Sequence, residues 1–400
     1  MKTDKEASFD PLIDRSGTAS QKWDAYEGAD ILPLWLADMD FQAPCAILDD
    51  LKKAVEHGVL GYTLIPQELV SVFIERMYRV HGWQVDPDWL VWLPGLVPAL
   101  YALPRAYSDV GDGVMTTTPA YWHFLAAPGH SKRVLQAVPM QKDKAGHYKF
   151  DFDAMRAARN DRTKLFVLCN PHNPTGRVFS KAELLELSEF CLERDIIICS
   201  DEIHCDLILD PTKSHISIAT LSEDIARRSI TLLAPSKTFN IPGLGCSCAV
   251  IPDKDLRTRF IAETGKSLPA VNCFGGRAAL VAYRDCEEWR AQLIHYLRAN
   301  HEYCLNEFNK IPGLSMAPLE ATYLAWISAE ESGIADIEAH LKGFGVGVSG
   351  GARFGGDPRY FRLTLGTQRA RLEVAVERVR QELTIAFSKS PERLDLIRLR

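Results

Sequence analysis

The middle of the chain carries five short apolar runs, Val114–Thr117, Leu165–Cys169, Ile196–Ser200, Ile230–Ala234 and Cys246–Ile251. They predict strands buried inside an α/β core. Between two of them, Ser180 and Glu183 have the spacing of a capping box. The predicted helix carries Leu184, Leu187, Cys191 and Leu192 on one side. Strand and helix in alternation demand a mostly parallel sheet covered on both faces. After about residue 285 the pattern changes: a long helical stretch, Glu287 to Asn309, leads into Tyr323–Ile327 and Phe361–Leu365, with a further helix from Arg369 to Phe387. That reads as a smaller α+β domain. The expected division is therefore an irregular N-terminal arm over 1–45, a large domain over 46–286 and a small domain over 287–400. The charged tail after Ser388 reads as a solvated extension.

Four hundred residues suit such a two-domain plan. A net charge of −6 argues against nucleic acid or an anionic membrane as the main partner. No apolar run reaches the roughly 18 residues of a membrane span, and MKTDKEASFD lacks the apolar stretch of a secretory signal. Cysteines such as Cys169, Cys191 and Cys199 sit singly in apolar segments with no C-x-x-C pair, the pattern of reduced core thiols in a cytoplasmic protein. No metal site is expected.

Against this background the lysine in APSKTFNIPG, Lys237, stands out, because lysine is rarely buried without a partner. In doubly wound sheets ligands sit outside the carboxyl ends of the strands, so the polar residues there form one set. Asn173 lies in the turn-rich loop after Leu165–Cys169. Asp201 and His204 follow Ile196–Ser200, and Ser236 and Lys237 follow Ile230–Ala234. Tyr121 comes after Val114–Thr117, and Leu96 and Val97 open a helical run after Trp92. An amine, a carboxylate, an amide, an aromatic plate and a helix N-terminus suited to a phosphate are the parts needed to hold pyridoxal 5′-phosphate (PLP).

The chain also resembles a known family over nearly its whole length. FDPLIDRSGTASQKWD, LPLWLADMDF, NPHNPTGR, SDEIHCDL, SKTFNIPGL, TYLAW and FRLTLGT are similar to segments of aspartate-aminotransferase-like, fold-type I PLP enzymes of the MalY/PatB group of cystathionine and cysteine-S-conjugate β-lyases. The resemblance implies a large domain with a mostly parallel seven-stranded sheet plus a smaller α+β C-terminal domain. It implies Lys237 as the Schiff-base lysine, Asp201 as partner of the pyridine nitrogen, Asn173 as ligand of the phenolic oxygen and Tyr121 as the stacking ring. Leu96, Val97 and Ser236 would hold the phosphate, with Tyr62 reaching it from the neighbouring subunit of a homodimer with shared active sites. Arg362 would grip the substrate α-carboxylate.

Two departures from the wider superfamily favour the lyase group. His204 stands where many aminotransferases have a tyrosine, and Gly245 where they have a phosphate-binding arginine. The expected activity is β-elimination from L-cystathionine or related L-cysteine S-conjugates, giving thiol, pyruvate and ammonia. The alternatives are an aminotransferase of an L-amino acid and a regulatory protein on the same fold. Tyr323, Trp326 and Trp35 are left open between pocket lining and core packing.

Overall fold

The computed structural model describes residues 7–144 and 146–388. The first six residues and the charged tail after Ser388 lie outside the described residues. Seven strands form the main sheet: β1 (Leu90–Leu93), β2 (Gly113–Thr118), β3 (Val134–Pro139), β4 (Thr163–Cys169), β5 (Ile197–Asp201), β6 (Ser229–Leu233) and β7 (Ser247–Val250). Their spatial order is β1-β7-β6-β5-β4-β2-β3, and β7 alone runs against its neighbours. Each of the five expected runs coincides with a strand, apart from Ile196, Ala234, Cys246 and Ile251, which lie just beyond the strand ends. The two strands the sequence reading did not name, β1 and β3, are the edges.

The central strands are apolar because both faces are covered. Helices Leu96–Tyr107 and Lys254–Thr264 pack one face, where Leu100, Leu103, Leu256 and Phe260 meet Leu165, Ile197 and Ile230. On the other face Leu184, Leu187, Phe190 and Cys191 of helix Lys181–Leu192 meet Phe166, Leu168 and Ile198. Its capping box is formed, with the Ser180 side chain accepting from the Glu183 N–H and the Glu183 carboxylate accepting from the Ser180 N–H. Such a cap stabilises the helix start by about 1 kcal/mol.

Helix Glu287–Phe308 leads into a second, antiparallel sheet of β8 (Ser315–Met316), β9 (Leu324–Ser328), β10 (Ser349–Gly350) and β11 (Tyr360–Thr364), ordered β8-β9-β11-β10. Helix Arg369–Ser388 follows. The segment before Cys45 is irregular apart from a short turn and Leu32–Pro33, which pairs in parallel with Val346–Gly347. This arm is anchored by one buried carboxylate. Asp40 accepts from Lys22 Nζ at 2.8 Å, Arg15 Nη1 at 2.8 Å and Trp23 Nε1 at 2.9 Å, with Arg371 of the last helix 3.5 Å away. Lys22 foremost, helped by hydrogen bonds with Trp23 and Thr367, holds the Asp40 carboxyl below its usual range despite burial. Removing one partner of a buried pair of this kind costs about 3–5 kcal/mol.

Candidate active site

Parallel strands place their carboxyl ends side by side, so residues distant in sequence converge there. Cys169 pairs with Asp201 and Asp201 with Leu232, which brings the ends of β4, β5 and β6 level. Above them opens a cavity of about 290 Å³. Leu96, Val97, Tyr121, Asn173, Asp201, His204, Ser236 and Lys237 all line it. The sequence reading missed Leu36, Ala37, Trp122 and Ile203, which complete its apolar wall.

Lys237 sits in the turn after β6, and its Nζ donates to the Ala37 carbonyl at 2.6 Å. The Tyr323 hydroxyl donates to the same oxygen at 3.0 Å. Burial pulls the lysine pKa down to about 8, leaving about a tenth of the amine neutral at pH 7. The segment bearing Ala37 is latched to the lysine turn by Asn240, whose amide accepts from the Met39 N–H and donates to the Met39 and Phe41 carbonyls.

Asp201 ends β5 with its carboxylate accepting the Ile203 N–H at 3.1 Å. Burial, reinforced by the adjacent Glu202 charge, lifts its carboxyl to about 7. Among the described residues it forms no ion pair. His204 is also buried. Burial and the nearby cations Lys237 and Arg362 push it down to about 3, so the imidazole is neutral at pH 7, and among the described residues its Nδ1 has no hydrogen-bond partner.

Asn173 is joined to Arg362 of β11, whose Nη1 donates to its Oδ1 at 3.0 Å, while Nη2 donates to the Trp35 carbonyl at 2.9 Å. Arg362 is fully buried, its guanidinium lies over the Phe354 and Trp122 rings, and among the described residues its Nε–H has no partner. Burial draws its pKa down to about 10, still cationic at pH 7.

Among the described residues helix Leu96–Tyr107 has no side-chain cap at Gly95, and Gly95, Leu96 and Val97 line the cavity, so the positive end of the helix lies at its wall. Gly245 touches the same corner. It has φ +59°, and a Cβ there would lie 2.7 Å from the Pro94 carbonyl oxygen, so no side chain fits at that position.

Arg362 does not line the cavity itself and meets it through Asn173, whereas Tyr62 is not brought to the site by its own chain at all. It is fully exposed, on the loop between helices Cys45–His57 and Gln67–His81, and lies outside the cavity. Tyr323, Trp326 and Trp35 also stay out of the lining. Tyr323 acts instead through its hydroxyl on Ala37, and Trp326 stacks in the core against Tyr360. Among the described residues His81, Cys205 and Asp206 bring metal-type ligand atoms within 4.8 Å of one another. Arg76, however, holds Asp206 at 2.7 Å and supplies the positive charge there.

This is the fold and site geometry of a PLP-type transferase or lyase scaffold, and the comparisons agree. The chain belongs to the aminotransferase class I and II family, which matches residues 38–379. It is 37% identical to the cystathionine β-lyase PatB of Bacillus subtilis over 94% of this chain and 100% of the relative. Among solved structures, OvoB superposes with a TM-score of 0.92 at 41% identity, covering 94% of this chain and 99% of that one. Cystalysin of Treponema denticola, whose structure contains PLP, superposes with a TM-score of 0.90 at 29% identity, covering 95% and 99%.

Proposed function

We propose that this protein is a PLP-dependent carbon–sulfur β-lyase acting on L-cystathionine or related L-cysteine S-conjugates. The observation that carries the reading is the convergence of Lys237, Asp201 and the uncapped helix start at Leu96 on one cavity. The cavity suits the cofactor on three counts: Asp201 is a buried acid awaiting a cationic partner, His204 Nδ1 is an unpartnered polar atom, and the helix start is an anion cradle. Lys237 would hold the cofactor covalently, and Asp201 would pair with its ring nitrogen. The Asn173 amide would donate to its phenolic oxygen, and Tyr121 would cover its face. Leu96, Val97 and Ser236 would take its phosphate. Bound there, PLP supplies a sink for the negative charge that develops at the substrate Cα.

The protein's own groups do the rest. A guanidinium has five N–H donors, and Arg362 spends two on Asn173 and Trp35, leaving three for a substrate carboxylate. Gripping that carboxylate fixes which Cα substituent faces the lysine, an orientational contribution. Once the substrate amine has displaced it from the cofactor, the freed Lys237 amine would take the Cα proton as general base. The electrons released expel the thiolate from Cβ, so that cystathionine and water give homocysteine, pyruvate and ammonia.

We further read the chain as a cytoplasmic homodimer with shared sites, divided into an arm (1–45), a large domain (46–286) and a small domain (287–400). The exposure of Val59, Leu60, Tyr62 and Leu64 on one loop supports a partner surface at that place. The test of function is turnover of cystathionine without a keto acid. Thiol, pyruvate and ammonia should appear in equal amounts, and elimination should exceed transamination of L-alanine at least ~100-fold, about 2.7 kcal/mol in barrier. A strict keto-acid requirement with no thiol released from any cysteine conjugate would replace the lyase reading with an aminotransferase.

A further inference from the structure

A second guanidinium stands just beyond Arg362. Arg353 lies on the short helical turn Gly351–Phe354. Its guanidinium is 5.4 Å from the centre of the Trp122 ring and 5.9 Å from that of Trp35. Arg362 lies 5.5 Å from the same Trp122 ring and donates to the Trp35 carbonyl. The two arginines thus share Trp122, a residue of the cavity wall; neither lines the cavity itself, Arg362 being fully buried behind the wall and Arg353 exposed.

The position of Arg353 is built rather than incidental. Phe354, next in the turn, is buried beneath Arg362, and its carbonyl accepts the Ala120 N–H at 2.8 Å. The turn closes through Gly355 N–H to Ala352 and Gly356 N–H to Gly351, each at 3.1 Å. Among the described residues Arg353 forms neither a hydrogen bond nor an ion pair. Glu338 across the turn commits its Oε2 to the Gly350 N–H at 3.0 Å. A guanidinium within 6 Å of two indole rings is drawn toward them, and its N–H groups stay available to an acceptor.

We propose that Arg353 determines specificity by binding a carboxylate at the far end of the substrate's S-substituent, while Arg362 holds the α-carboxylate. The inference rests on the lyase reading and narrows it to S-conjugates with an anionic terminus. One positive charge deep in the site and a second at its mouth would grip the two ends of one extended dicarboxylate and leave the thioether between them.

The test compares S-(3-carboxypropyl)-L-cysteine with S-butyl-L-cysteine on the holoenzyme, wild type and Arg353→Gln. Wild type should favour the charged substrate in kcat/KM by at least about tenfold. Arg353→Gln should lose that preference by weakening the charged substrate alone, chiefly in KM, and Arg353→Lys should restore part of it. Equal loss on both substrates, or no loss on either, overturns the proposal. Calorimetric titration of the same proteins with glutarate and butyrate gives a readout independent of turnover. Wild type should bind glutarate several-fold more tightly than butyrate, and Arg353→Gln should bind the two alike. If neither cysteine conjugate is cleaved, the lyase reading falls, whereas Arg353 still stands or falls on the glutarate result.

Discussion

Arg362 Nη1 and Asn173 Oδ1 lie 3.0 Å apart, a buried bond joining the second sheet to the loop after β4. Because the Asn173 oxygen is occupied as acceptor, its NH₂ group is the part left to donate into the cavity. A single contact therefore ties the residue assigned to the substrate carboxylate to the residue assigned to the cofactor's phenolic oxygen. Lysine cannot reproduce this, being a point charge without a planar fork. Arg362→Lys should lower kcat/KM for cystathionine at least ~100-fold, about 2.7 kcal/mol, with KM raised. A variant within fivefold of wild type would remove Arg362 from the substrate site.

Among the described residues Asp201 forms no ion pair, and burial lifts its carboxyl to about 7. A cationic ring nitrogen would restore it to the charged form. Asp201→Asn should keep the cofactor but lose the charge-assisted bond, about 1.5–3 kcal/mol, with turnover falling by more than that bond alone accounts for. Near-normal elimination by the variant would remove Asp201 from this role.

Tyr62 is exposed in its own chain, so a role at a phosphate requires a second copy. Lys237→Ala and Tyr62→Phe proteins, each impaired alone, should recover part of the native activity on subunit exchange. The mixed dimer has one site with its lysine from one chain and its tyrosine from the other. Exchange verified by mass without any recovery would place Tyr62 outside the site.

Gly245 should tolerate no side chain. Its φ of +59° and a contact of 2.7 Å between any Cβ and the Pro94 carbonyl make Gly245→Ala strained and crowded. Stability should fall by about 1–3 kcal/mol, read from the urea midpoint, and cofactor retention should fall with it because Pro94 and Gly95 lead into the helix start. An unchanged midpoint would show that the loop gives way freely.

The cofactor-free protein should weaken in mild acid. His172 and His204, at about 3, and His81, at about 4, all have folded pKa values depressed chiefly by burial. They stay neutral when folded but take up protons when unfolded below about 6.5. Their stabilising contribution is thus present above that pH and lost as pH falls toward 4. Asp201 acts in the opposite sense, because its raised carboxyl binds a proton when folded between about 4 and 7. Three histidines against one aspartate leave a net loss of stability on acidification, at most roughly 1.4 kcal/mol per pH unit for each uncompensated proton. Denaturant midpoints at pH 6.5 and 5 measure it, and a midpoint that rises at pH 5 would contradict these assignments.

The central strands could be read directly from the chain because burial on both faces makes them apolar throughout, as in Ile197–Asp201 up to its functional end. The polar residues of the cavity were legible for a related reason. Asn173, Asp201 and Lys237 each follow closely on such a strand, and the parallel topology carries strand ends to one place. Arg362 was named through the family resemblance of FRLTLGT. Sequence by itself did not mark β3, whose half-exposed Val134–Pro139 pairs along one edge only, nor the Ala37 carbonyl that receives Lys237 across 200 residues. A backbone carbonyl has no side-chain signature, and an edge strand need not be apolar. The partners of Arg362, the crowding at Gly245 and the turn that sets Arg353 against two tryptophans were decided only when distant segments packed together.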